Sequence, residues 1–168
     1  PPGVPGRGGA IFELDDGRRV GLVSVLGRVY MEPFECPFLA AGKELARLHE
    51  QTRVLLVDIH AEATSEKVAL GRHLDGKCTA VVGTHTHVQT ADERVLPGGT
   101  AYVTDIGMTG PFDSVIGVEK EAVIRRFVTG IPTKFDVAEG WPGLNAVVID
   151  ADEQSGRAKS IERVARFD

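Results

Sequence analysis

The 168 residues carry a formal net charge of -5, with 42% hydrophobic and 26% charged residues. That is the make-up of a soluble globular chain, long enough to bury a core without disulfide staples. Lys and Arg form no dense run, which excludes the electrostatic footprint of a duplex nucleic-acid binder. No apolar stretch approaches the roughly 20 residues that span a bilayer, so no membrane partner is expected. The length implies one domain over residues 1–168. Cys36 and Cys78 stand far apart, outside any C-x-x-C pattern, and read as two buried reduced thiols in a cytoplasmic protein.

The chain opens Pro1-Pro2-Gly3-Val4-Pro5-Gly6-Arg7-Gly8-Gly9, a loop composition without an initiator Met. Ala10 to Leu14, the turn signal Asp15-Asp16-Gly17, and the nearly all-apolar Val20 to Leu26 predict a hairpin whose second strand is buried on both faces. Pro33 and Pro37 break regular structure between Arg28 and Pro37. Phe38, Ala41, Leu45 and Leu48 make one helical stripe that ends near Gln51. Arg53 to Ile59 reads as a buried strand, with Asp58 and His60 at its C-terminal end. Thr64 to Leu74 predicts a helix, capped by Thr64 or Ser65 and with Glu66 in its first turn. Cys78 to Val82 is the next strand. Arg94 to Leu96 and Thr100 to Thr104 flank Pro97-Gly98-Gly99 as a second hairpin, and Asp105 to Pro111 reads as a loop. Val118 to Val128 predicts a helix with acids early and Arg125 and Arg126 late. Ile131 to Gly143 reads as irregular. Leu144 to Ile149 and Arg157 to Val164 form a closing hairpin about the turn Asp152 to Gly156.

The chemistry gathers at Gly83-Thr84-His85-Thr86-His87. Alternate side chains of an extended segment share a face, so His85 and His87 point the same way. Two neutral imidazoles at a strand end suit zinc, iron or manganese. Strand, helix and strand before them form a βαβ unit with parallel strands. His60 ends the first strand and His85 and His87 follow the second, so all three should meet at the sheet edge where α/β proteins bind ligands. Glu62 can orient a ligand or a water from behind. Asp58 reads as a holder of a loop amide, and Thr84 and Thr86 as hydroxyls for loop backbone groups. Asp92-Glu93-Arg94 reads as a solvated turn. His49, His73 and Lys67 read as helix-surface residues.

The stretches Asp58-Ile59-His60-Ala61-Glu62-Ala63-Thr64-Ser65-Glu66-Lys67, Val82 through Arg94, Gly99 through Pro111 and Ala158-Lys159-Ser160-Ile161-Glu162-Arg163 resemble the YmdB-like bacterial metallophosphoesterases of the calcineurin-like superfamily. The opening Pro-Pro-Gly stretch resembles an interior loop of that family. The resemblance implies an α/β fold, a four-layer α-β-β-α sandwich with mixed sheets, here without its N-terminal part. It implies two metal ions, iron or manganese, and hydrolysis of phosphoesters such as 2′,3′-cyclic nucleotides. By the superfamily pattern, His60 and His85 would hold one metal and His87 the other. The family's Asp, bridging acidic and Asn ligands and its catalytic His precede the Pro-Pro-Gly loop and have no counterpart here. The chain is therefore expected to be the C-terminal portion of a longer enzyme, inactive alone and without a catalytic acid of its own.

The expected partner is a small phosphoester or cyclic nucleotide, with homo-oligomerisation left open. A different class, a non-catalytic metal-binding or interaction module, would explain the same histidines without the other ligands. An amidohydrolase barrel also uses H-x-H, but the chain is too short for one and its hairpins interrupt the βα repeat.

Overall fold

In the computed structural model, residues 5–32 and 34–168 are described; the opening Pro1 to Val4 and the breaker Pro33 lie outside them. The elements run β1 (Gly9–Glu13), β2 (Arg19–Leu26), α1 (Pro37–Leu48), β3 (Leu55–His60), α2 (Thr64–His73), β4 (Ala80–Thr84), β5 (Arg94–Val95), β6 (Ala101–Val103), β7 (Thr109–Pro111), α3 (Lys120–Thr129), β8 (Pro142–Ala151) and β9 (Ala158–Phe167). The strands form a six-stranded sheet of order β1-β2-β3-β4-β6-β5 and a three-stranded sheet β7-β8-β9. The first sheet is mixed: β2, β3, β4 and β6 run parallel, and the hairpin partners β1 and β5 close its two ends antiparallel. The second is wholly antiparallel among the described residues.

Two apolar cores lie on the two faces of the first sheet. On one face, α1 contributes Ala41, Leu45 and Leu48, and α2 contributes Leu70 and Leu74, against Val23, Leu55, Val57, Ile59, Val81 and Tyr102. The helical stripe legible in the sequence is the one α1 buries. Pro37 does not break this helix but starts it, since a first-turn position needs no N–H donor. α2 lies close over Tyr102 because Gly71 carries no Cβ there. On the other face, Ala80, Ala101 and Val103 pack with Ala158 and Ile161 of β9, joined by Val147 and Ile149 of β8.

The second sheet packs against the β3-β4-β6-β5 part of the first. β2 is therefore buried on one face and not on both as its composition suggests: Gly21, Val23 and Val25 face the helices, while Leu22 and Leu26 remain partly exposed. The second sheet and the start of α2 also differ from the sequence reading. Thr109–Pro111, expected as loop, pairs with Leu144, Gly143 and Pro142, and β8 starts at Pro142. That register is a tertiary pairing with no local periodicity to announce it. α2 has Ala63 at its N-cap with no side-chain cap, so neither Thr64 nor Ser65 serves there. In α3, by contrast, the Glu119 side chain accepts from Ala122 N, and Gly130 ends the helix at φ 69°.

The two cysteines differ. Cys78 is buried, and burial pushes its thiol up to about 12. Cys36 is only partly covered; the Leu39 and Phe38 amides at the start of α1 hold its thiol below the usual range. The expectation of two buried thiols fails at Cys36 because it precedes the first helical residue and stays at the surface.

Candidate metal centre

Register places the histidines. β3 pairs with β4 so that His60 stands opposite Thr84, and Asp58 opposite Val82. β2 pairs with β3 so that Ser24 stands opposite Asp58. Residues opposite one another share a face, and diagonal neighbours remain in reach. A polar row therefore crosses three strands at the C-terminal edge of the parallel sheet. Ser24 Oγ donates to Asp58 Oδ2 at 3.1 Å, Thr84 Oγ1 donates to Asp58 Oδ1 at 2.9 Å, and His60 Nδ1 lies 3.1 Å from Thr84 Oγ1. Asp58 thus holds hydroxyls and not the loop amide expected of it.

From the end of this row the site opens outward. His60 Nε2 and His85 Nδ1 face each other at 3.0 Å, with the rings edge to face at 82°. His85 Nε2 lies 2.7 Å from Glu62 Oε2. The βαβ unit therefore brings His60 and His85 together and sets Glu62 behind them. His87 turns away: its Nδ1 donates to the Ile116 carbonyl at 2.8 Å. His85 has φ 114°, His87 φ 64° and Ile116 φ 49°. Positive φ is uncommon at non-glycine residues, and for β-branched Ile116 it is an outlier. Strain of this kind is kept where surrounding contacts over-determine the backbone, and it clusters at functional sites.

The contacts that hold the turn come from α2 and from the segment leaving β6. Lys67 is fully buried, not a surface residue, and its Nζ donates to Asp105 Oδ2 at 2.9 Å. The same oxygen accepts the Thr86 amide at 3.0 Å, and Asp105 Oδ1 accepts the Gly107 amide at 2.9 Å. Burial raises the Asp105 carboxyl, but the Lys67 ammonium and these amides outweigh it and hold the group below the usual carboxylate range. Glu66, the preceding residue on α2, is also buried and accepts the amides of Arg28 and Val29 at 3.0–3.2 Å. Asp92, expected in a solvated turn, instead takes the Thr104 amide and the hydroxyls of Thr104 and Thr90. Glu93 pairs with Arg163 of β9 at 2.8 Å. The Thr86 hydroxyl stays local, within 3.2 Å of the Val88 amide and carbonyl. His49 and His73 are exposed, as expected: one meets Arg53, the other the edge of Phe38.

The donor set fits a metal in part. Two imidazole nitrogens confront each other with room for a single proton between them, the position that a Lewis acid would contest. Among the described residues no three His, Cys, Asp or Glu side chains come together into a group that could hold an ion. His60 and His85 therefore fit one ion as half a ligand set, and His87 stands apart, its Nε2 without a hydrogen-bond partner among the described residues.

A family model described as "YmdB-like protein" matches residues 1–164. The chain belongs to this family. It is 49% identical over 98% of its length to the 2′,3′-cyclic-nucleotide 2′-phosphodiesterase of Bacillus subtilis, and covers 62% of that relative. Among solved structures, a hypothetical protein from Thermus thermophilus superposes with TM-score 0.91 at 43% identity, covering 99% of this chain and 64% of that one. A novel phosphatase of Mycoplasma pneumoniae superposes with TM-score 0.85 at 36% identity, over 96% of this chain and 58% of that one. The mixed α/β sandwich expected from the sequence is the fold shared with both. The chain thus spans about three fifths of the length of these relatives. No helix among the described residues is long and apolar enough to cross a membrane.

Proposed function

We propose that the chain is the histidine-bearing portion of a metal-dependent phosphodiesterase that hydrolyses small phosphoesters such as 2′,3′-cyclic nucleotides. The observation that carries the reading is the approach of His60 Nε2 and His85 Nδ1 to 3.0 Å across two parallel strands, in a chain whose Bacillus relative bears that activity in its name. On this reading His60 and His85 hold one ion and His87 a second, with iron or manganese the metals. A metal pair supplies Lewis acidity to phosphoryl oxygens and lowers the pKa of water. The chain's own residues orient the imidazoles: Thr84 behind His60, Glu62 beside His85 and the Ile116 carbonyl behind His87.

Manganese titration of the purified chain tests the ligand roles. His60→Ala and His85→Ala are each expected to weaken binding by more than the roughly 10–100-fold that loss of an outer partner costs. Unchanged affinity in both would remove the assignment. The described residues gather no complete ligand set, so the 168-residue chain alone is expected to turn over 2′,3′-cyclic AMP negligibly. Robust manganese-dependent hydrolysis by that chain would overturn the expectation.

A further inference from the structure

The polar row behind His60 fixes which of its nitrogens is open. We infer that Asp58, acting through Thr84, is a positioning pair that locks His60 as the Nδ1–H tautomer and keeps the Nε2 lone pair turned toward His85. An ionised carboxylate only accepts hydrogen bonds, and a hydroxyl has one proton. Asp58 Oδ1 takes that proton from Thr84 at 2.9 Å. Thr84 Oγ1 then meets His60 Nδ1 as an acceptor, and at 3.1 Å the ring must supply the N–H. A neutral imidazole that donates from Nδ1 keeps its lone pair on Nε2, which accepts the His85 Nδ1–H at 3.0 Å, while His85 gives its second N–H, on Nε2, to the Glu62 carboxylate at 2.7 Å. Ser24 Oγ, 3.1 Å from Asp58 Oδ2, holds the carboxylate from its other oxygen.

The row is built by register. Ser24, Asp58, Thr84 and His60 occupy one face of three adjacent strands beside the half-buried apolar Leu56 and Val82; Ser24 is exposed and the other three polar residues are half-buried. Each of the four polar side chains is hydrogen-bonded to the next. His87 follows the same rule by a shorter route, its Nδ1–H given to the Ile116 carbonyl, which leaves the lone pair of the neutral ring on Nε2. The positioning pair rests on the proposed metal reading for its purpose, though not for its test.

The test is the tautomer of His60 in the metal-free chain, read by long-range proton–nitrogen correlation of nitrogen-15-labelled histidine, which distinguishes a bare from a protonated nitrogen at each ring position. The wild type is expected to show Nδ1 protonated and Nε2 bare. Thr84→Ser should keep that pattern, because the hydroxyl remains. Thr84→Val should lose it, giving mixed or inverted tautomers. Asp58→Ala should do the same by releasing the Thr84 proton toward Nδ1, and it carries the test if Thr84→Val does not fold. An unchanged Nδ1–H tautomer in the folded variants overturns the proposal. Manganese titration of the same samples separates the two readings. A changed tautomer with affinity about 10–100-fold weaker supports both. A changed tautomer with no manganese bound by any form supports the positioning pair and removes the metal.

Discussion

Replacing Lys67 with methionine is expected to destabilise the protein by about 3–5 kcal/mol, the cost of leaving one partner of a buried ion pair uncompensated. Lys67 Nζ and Asp105 Oδ2 meet at 2.9 Å with both side chains excluded from solvent. Methionine matches the length of the lysine stem but leaves the Asp105 carboxylate with only the Thr86 and Gly107 amides. Denaturant unfolding of the two forms measures the difference. A loss below about 1 kcal/mol would mean that the pair is not the anchor described. The double variant Lys67→Met/Asp105→Asn should lose less than the sum of the two single variants, because the charge left stranded in the first is absent. Acid should remove the same contribution. Asp105 is held below its ordinary value in the folded state, so its stabilisation is complete above the unfolded carboxylate pKa near about 3.9 and is lost as pH falls through the lower folded value. Below about pH 4 the gap between wild type and Lys67→Met should therefore narrow.

Gly83→Ala is expected to cost about 3 kcal/mol or more and to displace the following histidines, although it adds one methyl group. A Cβ at Gly83 would run into the Thr104 carbonyl, which is backbone and cannot swing away, and would stand 2.8 Å from Lys67 Cδ. Gly83 O also accepts the Ile106 amide at 2.9 Å, so the segment has little freedom to retreat. Gly42→Ala is the control. It lies in α1 with nothing within 4 Å of its added Cβ, and should stabilise by up to about 1 kcal/mol through helix propensity. Thermal unfolding of both variants would show the opposite signs. A neutral Gly83→Ala would mean that β4 can shift against β6, and that the H-x-H turn is not held as described.

The contrast between α1 and α2 shows what kind of feature a sequence exposes. Ala41, Leu45 and Leu48 make an unbroken apolar stripe, and α1 buries it. The buried stripe of α2 contains Glu66 and Lys67 beside Leu70 and Gly71. Two charges in a stripe read as a solvated face, since isolated charges are rarely buried. What makes their burial tolerable lies far along the chain: the Arg28 and Val29 amides for Glu66, and Asp105 for Lys67, 38 residues away. No local signal links those positions. The same holds for Asp92, whose partner is Thr104, and for β7, whose pairing with β8 spans the whole of α3 and the irregular stretch after it.

The sequence by itself determined the parallel βαβ unit and, through strand direction, the meeting of His60 with His85. Hydrophobic periodicity and the handedness of the crossover depend on residues close in the chain, and those are legible in order. Only the tertiary structure decided that His87 turns to the Ile116 carbonyl, that Asp58 reaches His60 through Thr84, and that a buried lysine pins the turn between the histidines. Those outcomes depend on hydrogen-bond partners brought together by register and by positive φ at His85 and His87. A single proton placed by a remote carboxylate leaves no periodic trace in the sequence.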